Sequence, residues 1–380
     1  MRAYLDWASA APLAPVVIRG MQRALSAFAN PSSVHAEGRD VAKMLANARQ
    51  RIARSLNTKP EELVLTSGGT EANHLAIVGT LRALRKPVAH CITSTIEHAS
   101  VMTAFQWLAD MGVQVSYVAP NDDGRIAVDA VQSLVNDNTV LVSFAHVNSE
   151  IGVVQPIADI GRMLKKINKK IIFHVDAAQS PLYFDASPHT LHADLVSYDA
   201  QKIMGPKGAG VLYRDFSVPL APIIGGGSQE RGMRPGTENA LAAVGASYAF
   251  EFSAHKRKQR VLKVLAVREL LINSVLRDIP AATLTGSRRH RSPSNAHFHF
   301  QNVDGDYLTV LMDEAGVAVS PRSACAGGGG VRSDVVYALT NDNDLARGTI
   351  RFSLGPTTTS ADIQKAVRAL KKVLPLATHA

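Results

Sequence analysis

The sequence predicts an α/β protein with a mainly parallel central sheet flanked by helices and a smaller α+β part. From about residue 60 to 215, short apolar runs alternate with helical patterns. The runs are continuously apolar rather than alternating, as expected of strands covered on both faces. Beyond about residue 240 the alternation gives way to long helical sequence and then to a mixed region.

The elements follow in order. Ala3-Tyr4-Leu5-Asp6 is strand-like. Glu62-Leu63-Val64-Leu65-Thr66 precedes a helix beginning near Thr70, and His90-Cys91-Ile92-Thr93 precedes one near His98. Further strands are expected at 114–118, 140–144, 170–175, 195–198 and 210–213. A long helical stretch runs from Leu241 to about Arg277. Ser360 with Asp362 marks a last helix start, with Ile363, Val367, Leu370 and Val373 as its apolar stripe. In such sheets ligands bind beyond the carboxyl ends of the strands.

The chain has 380 residues, 46% hydrophobic and 19% charged, which suits a core-forming protein rather than a disordered one. No apolar run reaches the roughly 18 residues a membrane span needs. The N-terminus shows no signal-peptide pattern, so a cytoplasmic protein is expected. Two cysteines exclude a disulfide framework. Cys91 reads as a buried small hydrophobe, whereas Cys325 precedes four glycines in an expected flexible loop. No Cys/His spacing reads as a zinc site, and no metal is expected. The formal charge is +9, with basic clusters at Lys256-Arg257-Lys258 with Arg260 and at Arg288-Arg289-His290-Arg291. These read as solvated charge or as a docking surface for an acidic partner or RNA. No aromatic-rich motif accompanies them, and direct nucleic-acid binding is not expected.

Four segments could carry chemistry. Lys202 ends an apolar run and enters the turn Gly205-Pro206-Lys207-Gly208, a placement suited to a Schiff base with an aldehyde cofactor, or to a solvated surface charge. Asp176 ends another run; a carboxylate there needs a cation or donors. A protonated pyridine nitrogen is one such partner and a helix cap the alternative. Thr66-Ser67-Gly68-Gly69-Thr70-Glu71-Ala72-Asn73 joins strand to helix, where free N–H groups suit a phosphate or simply begin a capped helix. His98 could stack on an aromatic cofactor and move protons, or be structural.

Together with these, further segments resemble the NifS/IscS-type cysteine desulfurases of the class V aminotransferase group. They are Tyr4-Leu5-Asp6, Asn30-Pro31-Ser32-Ser33-Val34-His35 with Gly38-Arg39, Glu97-His98, Glu150-Ile151-Gly152 with Gln155-Pro156-Ile157, and His174 to Gln179. Gly226-Gly227 through Arg234-Pro235-Gly236-Thr237-Glu238-Asn239, Ser323-Ala324-Cys325 and Ile350 to Gly355 complete the set. The resemblance spans nearly the whole chain and implies the fold type I of pyridoxal 5'-phosphate (PLP) enzymes. It implies a large cofactor-binding domain over 14–250. A small domain would combine 1–13 with 251–380 and carry a mobile cysteine loop near 320–332.

The resemblance also implies roles. Lys202 would hold PLP, Asp176 would pair with the pyridine nitrogen, and His98 would stack on the ring and transfer protons. Gln179 would meet the phenolic oxygen, and Gly69, Thr70 and Gln201 would serve the phosphate. Thr237 would reach the phosphate of the other subunit, which implies a homodimer. Arg351 would clamp the substrate carboxylate, with Asn148 beside it. Cys325 would take sulfur from L-cysteine as a persulfide and pass it to an acceptor protein for iron–sulfur assembly or tRNA thiolation.

Three departures stand out. The family's Ser-x-His-Lys is here Asp199-Ala200-Gln201-Lys202, which sets an anion near the phosphate. Its Asn-Asn-Glu-Ile-Gly is Asn148-Ser149-Glu150-Ile151-Gly152. The opening motif reads Asp6-Trp7-Ala8-Ser9-Ala10-Ala11, and Trp7 is expected to add an aromatic wall to the pocket. A selenocysteine lyase or other class V lyase, or a divergent scaffold that binds cofactor poorly, are the alternatives.

Overall fold

The computed structural model describes residues 2–86, 88–322 and 332–378. Its twelve strands are β1 (Ala3–Tyr4), β2 (Leu63–Thr66), β3 (His90–Ser94), β4 (Gln114–Val118), β5 (Thr139–Ala145), β6 (Ile172–Asp176), β7 (Leu195–Asp199), β8 (Gly210–Arg214), β9 (Thr283–Leu284), β10 (Asn295–His299), β11 (Val317–Ala318) and β12 (Thr349–Ser353).

Seven of them form one sheet in the order β2-β8-β7-β6-β5-β3-β4. Strands β7, β6, β5, β3 and β4 pair in parallel, and β8 runs against both of its neighbours. The central strands β3, β5, β6 and β7 are buried along their whole length, which is why their sequences are mostly apolar without alternation. Edge strand β4 is exposed at Gln114 and Tyr117 instead.

Polar residues inside this sheet are matched across strands. His174 on β6 bonds Ser143 on β5 through Nδ1 at 2.8 Å and Ser197 on β7 through Nε2 at 2.9 Å. Burial pushes this imidazole down to about 3, so it is neutral and the rung adds no charge to the core.

The C-terminal part forms a three-stranded antiparallel sheet, β12-β10-β9, and β1 pairs in parallel with β11. Two helices, Arg257–Asp278 and Ser360–Val373, pack together beside this sheet. The last begins with a capping box in which Thr359, one residue before the expected start, and Asp362 satisfy each other's backbone N–H groups. The helical stretch expected from Leu241 to about Arg277 consists of two helices, Ala240–Ala254 and Arg257–Asp278. The chain turns between them at Lys256, whose φ of 51° is left-handed. A lysine favours helix, so propensity alone does not mark this break. The first of the pair is alanine-rich and packs against Pro15–Ala24 and Ala36–Leu56.

The basic clusters are partly structural. Arg260 is buried and donates to the carbonyls of Leu182, Ser253, Phe252 and His255. Arg291 is buried and donates to Ile151 and Thr285 carbonyls and to Asn295. Neither guanidinium is available to a partner. Among the described residues, no helix is long and apolar enough to cross a membrane, and no cluster of His, Cys, Asp and Glu could hold a metal.

Candidate active site

Five strands of the large sheet end at one rim, and the segments leaving them build a single pocket. The β2 exit supplies Gly69 and Thr70, β3 His98, β5 Asn148 and Ser149, β6 Asp176 and Gln179, and β7 Asp199, Gln201 and Lys202. Arg351 reaches the same pocket from β12 of the small sheet. The sequence-predicted residues therefore meet, apart from two: Thr237 lines a different cavity with Thr66, Gly208 and Arg234, and Cys325 lies outside the described residues.

Asp176 is buried at the end of β6, where an uncompensated carboxylate would be costly. Its Oδ1 accepts the Ala178 N–H at 2.9 Å and its Oδ2 accepts from Asn73 Nδ2 at 2.8 Å. Asn73 sits on the same helical face as Gly69, one turn along. Its amide also donates to Ser100 Oγ at 2.9 Å, and Ser100 reaches His98 Nδ1 at 2.8 Å. His98 is the N-cap of Ala99–Asp110, its Nδ1 accepting the Ser100 N–H at 3.1 Å. A neutral ring then carries its proton on Nε2. Asn73 and Ser100 thus couple the carboxylate to the imidazole. The sequence held a weak signal for them: Asn73 closes the glycine motif and Ser100 lies two residues past His98.

Lys202 sits on the 3₁₀ turn Ala200–Ile203 that follows β7. Its Nζ donates to the carbonyls of Ala8 at 2.8 Å and Ser9 at 2.6 Å, and Gln179 Nε2 donates to Ala8 at 3.0 Å. Arg351 donates through one terminal nitrogen to Asp6 Oδ1 at 2.9 Å and Ser9 Oγ at 2.7 Å, and through the other to the Ser149 carbonyl at 2.9 Å. Its buried Nε has no partner among the described residues. The N-terminal segment Asp6–Ser9 thus closes one side of the pocket with main-chain oxygens. Trp7 does not form a pocket wall: its ring turns to Gly355 and Tyr4, and Ala8 lines the pocket in its place. Asn148 lines the pocket, but its amide holds the local turn, donating to the Ile96 carbonyl at 2.7 Å and accepting the N–H groups of Glu150 and Ile151, both at 2.9 Å.

Glu97, adjacent to His98 in sequence, is buried. Burial pushes its carboxyl up to about 8 and the nearby Asp176 charge adds to this, against the Ser94 hydroxyl (2.5 Å) and the Ala145 N–H (2.8 Å). At neutral pH this group is mainly protonated. Cys91, by contrast, is fully buried in β3, and burial pushes its thiol up to about 12, so it offers no nucleophile.

The family model for class-V aminotransferases matches residues 3–366 of this chain. This chain belongs to that family. The cysteine desulfurase IscS of Dictyoglomus turgidum is 35% identical over 372 residues, covering 98% of this chain and 94% of the relative. A solved NifS-like protein superposes with a TM-score of 0.92 at 29% identity, covering 99% of this chain and 100% of that one. A structure described as SspA in complex with cysteine gives a TM-score of 0.81 at 33% identity, covering 94% and 100%.

Class-V aminotransferases of the desulfurase type depend on PLP, and the pocket fits that cofactor in most respects. The buried Asp176 carboxylate keeps acceptor capacity for a pyridinium N–H, and Lys202 offers an amine in the same pocket. Main-chain N–H groups at Gly69 and Thr70 begin a helix that continues through the π turn Leu75–Gly79 to Leu84. Asp199 is the exception. Its carboxylate sits against Gly69, where a Cβ would lie 3.5 Å from Oδ2. Gln201 spends its side-chain amide on that carboxylate at 3.0 Å.

Proposed function

We propose that this class-V aminotransferase is a PLP-dependent cysteine desulfurase that converts L-cysteine to L-alanine and loads the sulfur on Cys325. The carrying observation is the convergence of Lys202, Asp176, His98 and Arg351 on one pocket at the carboxyl rim of a parallel sheet. The cofactor, when bound, supplies the electron sink that labilises bonds of an amino acid.

In this reading the chain's own residues divide the work. Asp176, held by Asn73 and Ala178, keeps a negative charge facing the pyridine nitrogen. His98 presents Nε2 as the proton-moving atom because Ser100 occupies Nδ1. Lys202 holds the cofactor and relays a proton at Nζ. Arg351, which reaches the pocket from β12, meets the substrate carboxylate. Gln179 serves the phenolic oxygen. Gly69, Thr70 and Gln201 serve the phosphate, and Thr237, away from this pocket, serves that of a neighbouring copy in a homodimer. Cys325 attacks as a thiolate and hands sulfur to an acceptor for iron–sulfur assembly or tRNA thiolation. A thiol that must cycle in this way needs a reducing compartment, which supports a cytoplasmic site of action.

The test uses protein purified with PLP. Borohydride treatment and peptide mapping should find the cofactor on Lys202. Added L-cysteine should yield alanine and, with a thiol reductant such as dithiothreitol to cleave the persulfide, sulfide. Cys325→Ser should keep the visible absorbance and lose persulfide. Sulfur release undiminished in that variant removes Cys325 from the mechanism, and no adduct on Lys202 removes the activity.

A further inference from the structure

We propose that Asp199 makes this chain take up a proton when it binds the phosphate of its cofactor. The inference rests on the PLP reading above and concerns a residue in which this chain departs from its relatives' motif. Three observations carry it. Asp199 is buried, with 8% of its surface exposed, so water screens its charge poorly. Its carboxylate abuts Gly69, the first residue of the helix whose N–H groups suit an anion. Its oxygens accept the Gln201 N–H at 3.1 Å and the Gln201 Nε2 at 3.0 Å, both neutral donors that leave the negative charge in place.

Of the cations that line the same pocket, Arg351 is already paired with Asp6 at 2.9 Å. Lys202, on the same turn, is the residue that takes the cofactor and donates to the carbonyls of Ala8 and Ser9. The helix from Gly69 carries Glu71 and His74, and Glu71 is paired with Arg234 at 2.8 Å. Asp176 ends the neighbouring strand β6, and Glu97 lies close to it with its carboxyl raised to about 8. In register Asp199 faces Gly210, whereas Arg214 of β8 lies at the far end opposite Leu195. The helix Ala240–Ala254, packed on the lysine turn, brings Tyr248 and Glu251 as its only ionisable groups.

A free phosphate monoester is a dianion above about pH 6. Two adjacent anions in one poorly hydrated pocket cannot both stay fully ionised without loss of affinity. One proton is therefore shared between the phosphate and Asp199. Binding that takes up a proton weakens as pH rises, approaching roughly tenfold per pH unit while both groups are otherwise ionised.

The experiment compares full-length wild type with Asp199→Asn and Asp199→Ser. Cofactor-free protein is titrated with PLP between pH 6.5 and 8.5, with Kd read from absorbance. Calorimetry at pH 8 in two buffers of different ionisation enthalpy counts protons. Wild type should take up close to one more proton per cofactor than Asp199→Asn. The Kd ratio of wild type to variant should grow at least tenfold across the range. Pyridoxal, which lacks the phosphate, should show no such growth. Equal proton counts and a constant Kd ratio overturn the inference while leaving the cofactor reading intact. An equal growth with pyridoxal also overturns it. Absence of binding by all three proteins overturns the cofactor reading and this inference with it.

Discussion

Replacing Glu97 by glutamine should make the fold less sensitive to alkaline pH. In the folded chain burial holds the Glu97 proton up to about pH 8, whereas an ordinary glutamate releases it near 4.5. The folded-state value is raised, so the associated stability is full below about 4.5 and is lost as pH rises toward 8. Between those values the folded chain binds one proton more than the unfolded chain. Stability then falls by about 1.4 kcal/mol per pH unit from this group alone. From pH 5.5 to 7.5 that amounts to about 3 kcal/mol. Glutamine is isosteric and neutral: its oxygen can accept the Ala145 N–H and its amide can donate to Ser94, preserving both contacts. The assay is urea unfolding of cofactor-free protein followed by circular dichroism, since cofactor binding would add its own pH dependence. The stability of Glu97→Gln minus that of wild type should rise by about 3 kcal/mol between the two pH values. A difference constant to within about 0.5 kcal/mol would show that Glu97 is ionised at neutral pH and that the argument from burial is wrong.

Three further outcomes follow from the geometry. Asn73→Ala removes the donor shared by Asp176 and Ser100 and should cost about 2 kcal/mol in urea unfolding, a cost that shrinks in an Asp176→Asn background. A Cβ on Gly355 would stand 2.0 Å from the Trp7 ring, so Gly355→Ala should lower stability by about 2 kcal/mol or more, and much less once Trp7 is alanine. Alkylation at pH 8 should leave Cys91 unmodified until the chain is unfolded, as peptide mapping would show; native labelling would contradict its burial in β3.

The parallel sheet and its functional rim were legible because the same physics writes both. A strand covered on two faces is apolar except where polar groups pair across strands, so a charged residue that ends the run marks the rim. Asp176 and Lys202 could be read in that way. What stayed hidden was tertiary. The link from Asp176 through Asn73 and Ser100 to His98 joins three separate elements, and no spacing along the chain encodes it. The main-chain oxygens of Ala8 and Ser9 that receive Lys202 carry no sequence signature, since every residue has a carbonyl. Trp7 looked like a pocket wall by its type, but space over Gly355 decided its direction. Lys256 favours helix by propensity, yet its backbone is left-handed and the chain turns there.

The segment Asp6–Ser9 joins two sheets. Asp6, Ala8 and Ser9 hold the arginine from one sheet and the lysine from the other, so they stitch the two halves together at the point of chemistry. A shift of this short segment would therefore disturb the reactive amine and the anion clamp at once, although neither side chain belongs to it.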